Sequence, residues 1–124
     1  MIKIAVLDDY QDAFRQIIQI EKYNTQFEFK IFNEPFNNEA EAVLALEEFN
    51  VLFIMRERTP ITKTLIDGIP NLKYIMTSGM RNNSIDLEFA KEKDILVCGT
   101  EINPNPTAEL TWMLILGLLR NIRV

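Results

Sequence analysis

The loop TSGMRNNSID, residues 77–86, carries the types of group that bind an anion, and it directly follows an apolar run. Gly79 permits positive φ and a close approach to the backbone, and successive N–H groups in such a bend can face one point. Arg81 adds a positive charge, the small polar residues after it can hydrogen-bond the loop's own backbone, and Asp86 can cap a following helix. A plain strand-to-helix turn explains the same composition, so both interpretations stay open on the residues alone.

Arg56 is a second candidate, because a guanidinium can bind a carboxylate through two parallel hydrogen bonds. It follows the third apolar run of the chain, and its alternative role is that of a surface arginine paired with Glu57. Asp8, Asp9 and Tyr10 follow the first apolar run. We expect these three to be solvated turn residues, with Tyr10 as the wall of a pocket, and we assign them no catalytic role.

The sequence contains no histidine and a single cysteine, Cys98. The lack of histidine removes the commonest general acid or base at neutral pH and the commonest metal ligand, and with one cysteine no zinc spacing exists, so we predict no metal site in this chain. Cys98 lies in an apolar run, where a buried and inert thiol is expected. If the chain belongs to a proton-transfer enzyme, the proton carrier lies elsewhere.

The composition fits one globular domain, with 124 residues of which 48% are apolar and 25% are charged. The net charge is −5 and no basic cluster is present, which argues against a nucleic-acid partner. The last apolar stretch is too short for a membrane span, and the first residues, MIKIAVLDDY, lack the apolar segment of a signal peptide. We therefore expect a cytoplasmic protein with no membrane partner.

Short apolar runs alternate five times with helical patterns along the chain, which predicts a parallel sheet built from right-handed crossovers. The predicted fold class is α/β, a flavodoxin-like five-stranded parallel sheet of order 2-1-3-4-5 with helices on both faces, followed by an apolar C-terminal helix. Strands are predicted at 2–8, 27–32, 51–55, 72–76 and 95–99, and helices at 12–20, 38–49, 62–69, 85–93 and 107–122.

Ligands of such sheets bind beyond the carboxyl ends of the strands. Phosphoacceptor receiver domains share this fold, and the Asp-Asp pair after the first strand resembles their acidic pair. However, Met55 and Arg56 stand where the receiver nucleophile is required, and Gly99 and Thr100 stand where its lysine is required. An arginine in the nucleophile position opposes Mg²⁺ binding, so the strand ends do not favour a receiver.

Three motifs together carry a resemblance to a known family: RERTPI at 56–61, SGMRNNSID at 78–86 and TAELTWMLILGLLRN at 107–121. The chain resembles the N-terminal half of the D-isomer-specific 2-hydroxyacid dehydrogenases over nearly its whole length, most strongly from Val51 onward. In that family the loop after the fourth strand usually reads G-x-G-x-D-N-[IV]-D. Arg81 stands where its second glycine is usual, which points to a branch of the family.

The resemblance implies hydride transfer between a nicotinamide and a 2-hydroxy or 2-oxo acid, whose carboxylate is bound by backbone N–H groups of the loop. The family's catalytic arginine, acid and histidine lie in its second domain or after it, so no catalytic residue is expected in this chain. Thr107 matches a usual cofactor contact, with helix capping as the alternative role. The substrate-binding residues implied are Arg56, Ser78, Gly79, Met80 and Arg81.

The resemblance also implies a division of the chain into a substrate-binding domain, 1–104, and a crossover helix, 105–124, leading to a dinucleotide-binding domain that lies beyond this sequence. NAD or NADP is expected in the full-length enzyme and none on this chain, which we expect to be inactive alone. Its expected partners are a small 2-hydroxy or 2-oxo acid and a second copy, bound as a homodimer through the Thr107–Leu119 helix. The alternative is a stand-alone module that binds a small carboxylate or another protein.

Overall fold

A computed structural model of the protein describes residues 1–122, and these residues form one five-stranded sheet. All four strand pairs are parallel, and the strand order is β2-β1-β3-β4-β5, which confirms the predicted order. The near-continuous apolar sequence of the central strands is typical of parallel strands buried on both faces. The strands are β1 (Ile2–Leu7), β2 (Phe27–Ile31), β3 (Val51–Ile54), β4 (Tyr74–Thr77) and β5 (Leu96–Gly99).

The helices lie where the periodicity predicts them, but most are shorter at their ends, where helices fray. The side chains of Asn38, Thr62 and Asp86 each accept a hydrogen bond from a backbone N–H three residues later, so they cap α2, α3 and α4. The first helix ends early because Ile18 is extended. The helices are α1 (Ala13–Ile17), a 3-10 turn (Ile20–Lys22), α2 (Glu39–Leu46), α3 (Lys63–Asp67), α4 (Leu87–Glu92) and α5 (Asn105–Leu119).

The main core lies on the sheet face that α2, α3 and α4 cover. Alternate strand residues such as Ala5, Leu52 and Ile75 point to that face and are fully buried against helix residues such as Leu46 and Leu65. On the opposite face, the ring of Phe14 in α1 packs at 5.3 Å from that of Phe53 and 5.9 Å from that of Phe29. Helices therefore lie on both faces, as predicted.

The opposite face is covered only over β1, β2 and β3. Tyr74 and Leu96 are 46% and 59% exposed there, and the register places Cys98 on the same face, beside Met76. The prediction that Cys98 is buried is wrong, because its thiol lies on the edge strand, beyond the reach of α1.

Helix α5 begins at Asn105, two residues before the predicted start, and has a proline in its first turn, where no N–H is needed. It contains no buried residue, and large apolar side chains such as Trp112 and Leu118 are 64% and 79% exposed. Within the described residues, no helix has the length and apolar character needed to cross a membrane.

Candidate functional site

The candidate residues meet at the carboxyl edge of the sheet. The register aligns Leu7, Ile54, Thr77 and Gly99, the last residues of four neighbouring strands, so the loops that follow them leave from one edge. These four loops contain every sequence-predicted site residue except Thr107, which lies in α5. The edge therefore matches the place where ligands bind in parallel sheets.

The side chain of Asn82 forms hydrogen bonds within the loop after β4 and with the residues that follow β3. Its side chain is 8% exposed, and its amide nitrogen donates to the carbonyl of Arg56 at 2.8 Å and to the hydroxyl of Thr77 at 3.3 Å. Its amide oxygen accepts from the backbone N–H of Ser84 at 2.9 Å and from the Ser84 hydroxyl. The predicted use of polar side chains to fix the loop backbone is thereby confirmed for Asn82.

Gly79 has a φ of 126°, a conformation that favours glycine, and its N–H donates to the hydroxyl of Thr100 at 3.0 Å. The N–H of Ser78 donates to the carbonyl of Ile54 at 3.0 Å. The N–H groups of Met80 and Arg81 make no hydrogen bond within residues 1–122. Within residues 1–122, two backbone donors of this loop are therefore unpaired, and a third is paired with a rotatable hydroxyl.

Arg56 is the second residue of the loop after β3, with a φ of 60° and an exposed side chain. The alternative pairing with Glu57 is wrong, because the Glu57 carboxylate accepts from the N–H of Asn83 at 2.8 Å instead. Among the described residues, the Arg56 guanidinium makes neither an ion pair nor a hydrogen bond. Its charge is therefore available to an anionic ligand.

Asp8 and Asp9 are not the solvated turn residues that the sequence suggested, since they are 3% and 1% exposed. Asp9 accepts from the N–H groups of Ala13 at 2.8 Å and Phe14 at 2.9 Å, so it caps α1. Asp8 accepts from the hydroxyls of Thr59 at 2.7 Å and Tyr10 at 3.2 Å. These hydrogen bonds replace those that water would make, and so offset the cost of burying the two carboxylates. The sequence alone does not show which groups will supply these hydrogen bonds.

Arg58 is a second arginine at this edge, which we did not select from the sequence. Its guanidinium lies 4.0 Å from the centre of the Tyr10 ring and donates to the carbonyl of Asp8 at 2.7 Å. Partial burial raises the pKa of the Tyr10 phenol above its ordinary value, and the nearby Asp8 carboxylate adds to this rise. The phenol therefore keeps its proton and donates a hydrogen bond to the Asp8 carboxylate. The sequence could have indicated Arg58, because it stands in the same RERTPI motif as Arg56, two residues later.

Two cavities divide the predicted residues between them. The first, of about 350 Å³, brings Arg56 and Ser78 together and is also lined by Tyr10, as predicted, and by Arg58. The second, of about 390 Å³, is lined by Met80, Arg81, Asn82 and Cys98. Ser78 and Met80 flank Gly79, so the loop separates the two cavities.

Thr107 does not contribute to either cavity. It is the third residue of α5 and is exposed, so the alternative in which it caps this helix is wrong. Within residues 1–122, no group of three or more His, Cys, Asp or Glu side chains is arranged to hold a metal ion.

Comparison with known proteins connects this edge to one family. Residues 4–114 match the family model for the catalytic domain of D-isomer specific 2-hydroxyacid dehydrogenases. Over 65 residues the chain is 38% identical to a Staphylococcus saprophyticus protein named as a 2-hydroxyacid dehydrogenase. A crystal structure of a phosphoglycerate oxidoreductase from Vibrio cholerae superposes with a TM-score of 0.83 at 36% identity. D-lactate dehydrogenase from Escherichia coli shares the fold, with a TM-score of 0.74 at 23% identity.

The chain is much shorter than these relatives. The matched part covers 52% of this chain but 20% of the staphylococcal protein. The two superpositions cover 94% and 98% of this chain but 37% and 39% of the Vibrio and Escherichia chains.

Gly99 is predicted to be essential for the loop geometry. A Cβ atom at this position would lie 2.3 Å from the carbonyl oxygen of Gly79, so Gly99→Ala forces a backbone shift. We expect a loss of about 1–3 kcal/mol in the free energy of unfolding measured by urea denaturation. Gly117→Ala is the control: its Cβ meets nothing within 4 Å, and the exchange in α5 is expected to stabilise by roughly 0.5–1 kcal/mol. Equal effects of the two exchanges would contradict this role of Gly99.

Proposed function

Because the chain belongs to the D-isomer-specific 2-hydroxyacid dehydrogenase family, we propose that it forms the substrate-binding part of an NAD- or NADP-dependent D-2-hydroxyacid dehydrogenase. The observation that carries the proposal is the meeting of Arg56 and Ser78 at one cavity, beside a loop with free N–H groups. An exposed guanidinium without a protein partner and nearby backbone donors suit a small carboxylate.

Each residue of the site has its own role in this proposal. Arg56 pairs with the carboxylate of the 2-hydroxy or 2-oxo acid, and Ser78 donates its hydroxyl from the same cavity wall. Met80 and Arg81 line the second cavity, beyond Gly79, so their N–H groups serve an anionic group bound there. The Thr100 hydroxyl accepts from Gly79 and keeps its own proton available for donation.

The nicotinamide cofactor supplies or accepts the hydride when it is bound, and the residues of this chain bind and orient the acid. The chain's four glycines, at 68, 79, 99 and 117, are too far apart for a dinucleotide-binding G-x-G-x-x-G loop. We therefore propose that 1–104 is the substrate-binding domain and that 105–124 is a crossover helix toward a dinucleotide-binding domain. Thr107, exposed in the first turn of α5, is the proposed cofactor contact. Residues 123 and 124 lie outside the described residues.

A stand-alone module that binds a small carboxylate is the second candidate. The same cavity supports it, and the lack of histidine in the chain favours binding over proton transfer. Both candidates place the ligand at the same edge, so catalytic turnover rather than binding separates them. The single cysteine suits a reducing compartment, and we propose a cytoplasmic location for either.

Pyruvate, as a simple 2-oxo acid, is expected to bind this chain and to shift the amide NMR signals of residues 78–81. Arg56→Gln should weaken binding about tenfold, the loss expected for one charge-assisted contact. Arg15→Gln is the matched control, because Arg15 is exposed on α1 and pairs with Asp12. The proposed site would be contradicted if pyruvate shifted amide signals only in other parts of the chain, or if both exchanges weakened pyruvate binding equally.

This chain alone should not oxidise NADH with any 2-oxo acid, because it contains neither a histidine nor a glycine-rich dinucleotide loop. The measurement is NADH absorbance with purified protein, and a full-length lactate dehydrogenase with pyruvate serves as the assay control. If NADH oxidation co-elutes with the purified chain on a final chromatography column, the proposal that cofactor binding and catalysis belong to a second domain is refuted.

We also propose that the chain forms a homodimer through the Thr107–Leu119 helix, since its apolar side chains are exposed on all sides. Leu114→Glu should raise the dimer dissociation constant by at least about tenfold, because an unpaired charge would be buried. Leu44→Glu, at an exposed leucine of α2, is the control and should leave it unchanged. Sedimentation equilibrium measures both, and a monomer at all concentrations counts against this interface.

A further inference from the structure

We propose that Asn82 is a positioning residue of the carboxylate site, which acts by holding Arg56 in the conformation that presents its guanidinium at the first cavity. The inference rests on the proposed function for its consequence in substrate binding. Its geometric part, the control of Arg56 by Asn82, can be measured without any ligand.

The amide of Asn82 is fully used within the protein. Its two N–H groups reach the Arg56 carbonyl and the Thr77 hydroxyl, and its oxygen accepts from the N–H and hydroxyl of Ser84. A side-chain amide has two donors and two acceptor sites, so no polar capacity is left for a substrate. Asn82 also does not line the cavity that contains Arg56 and Ser78, and it therefore acts on that cavity through another residue.

Arg56 is the residue through which it acts. A φ of 60° is uncommon for an arginine and requires support from its surroundings. The guanidinium provides none, because it has no hydrogen-bond or ion-pair partner within residues 1–122. The hydrogen bond from the Asn82 amide to the Arg56 carbonyl, at 2.8 Å and partly buried, supports this backbone unit, so the direction of the side chain depends on it.

The segment after Arg56 is held at its other end, which makes the role of Asn82 specific. The Thr59 hydroxyl donates to Asp8 at 2.7 Å, and the Arg58 guanidinium donates to the Asp8 carbonyl. Asp8 therefore fixes residues 58 and 59, and Asn82 fixes residue 56. Other ties also join the two loops: the Asn83 N–H donates to Glu57, and the backbone of Ile61 pairs with that of Ser84 and Asp86. None of them uses the Arg56 carbonyl.

An asparagine is required at position 82 because the Arg56 carbonyl needs a donor. Aspartate has nearly the same shape, but an ionised carboxylate only accepts hydrogen bonds and would repel that carbonyl. The neighbouring Asn83 is exposed and binds through its backbone N–H, so Asn83→Asp adds the same charge without removing a hydrogen bond seen among the described residues. The pair Asn82→Asp and Asn83→Asp separates the lost hydrogen bond from the added charge.

The first test uses no ligand. The Cα and Cβ chemical shifts of Arg56 report its left-handed conformation, and we expect Asn82→Asp to move them toward extended values while Asn83→Asp leaves them in place. Asn82→Ser, which removes the amide donors without adding charge, should have the same effect as Asn82→Asp. Left-handed shifts at Arg56 in both position-82 variants would overturn the inference. The inference would also be overturned if Arg56 lost its left-handed shifts only in variants that are unfolded throughout, as judged from their whole spectrum.

The second test is a double-mutant cycle with pyruvate as the probe. Asn82→Asp should weaken pyruvate binding about tenfold in the native chain but less than about twofold in an Arg56→Gln background. Equal losses in both backgrounds would overturn the inference, because Asn82 would then act independently of Arg56. If pyruvate does not bind the native chain, the proposed function fails, and the chemical shifts of Arg56 still decide the geometric part.

Discussion

Hydrogen bonds between neighbouring loops hold the carboxyl edge of the sheet together. Each adjacent pair of the four loops is joined by at least one side chain: Thr59 donates to Asp8, Asn82 to Arg56, and Gly79 to Thr100. A neutral hydrogen bond contributes about 1 kcal/mol net, whereas a buried group that loses its partner costs roughly 1–3 kcal/mol. The loops have little regular structure of their own, so the shape of the candidate site depends on these few partners more than on the sheet beneath them.

The two faces of the sheet differ in how far the chain itself covers them. Three helices bury the face with Leu52 and Ile75, but the five-residue α1 reaches only part of the other face. Tyr74 and Leu96 stay exposed there, and α5 exposes apolar side chains along its whole length. So much apolar surface is unusual for an isolated domain and is typical of proteins that contact a partner. The structure thus combines a self-sufficient core with surfaces that favour assembly.

The sheet could be predicted from the sequence because apolar runs and their spacing depend on local physics. The strand order is that of the small doubly wound fold that five alternating strands and helices favoured, and Thr62 and Asp86 cap the predicted helices. Burial at the loops could not be predicted, because it depends on partners far away in the sequence. Asp8 is buried through Thr59, 51 residues later, and Cys98 is exposed because no helix of residues 1–122 covers that edge of the sheet. The SGMRNNSID motif identified the loop after β4 as a binding loop. Only the structure shows that the residues of this loop line two different cavities.

The groups proposed to bind the acid at this edge are a guanidinium and backbone N–H groups. Arginine keeps its charge across the physiological pH range, and backbone N–H groups do not titrate there. The chain contains no histidine, the side chain whose ordinary pKa lies near neutrality. Anion binding by Arg56 and the loop should therefore vary little with pH around neutrality. In a complete enzyme of the proposed kind, the pH dependence of turnover must then arise outside these residues, which agrees with a substrate-binding half that holds the acid while other groups move the proton.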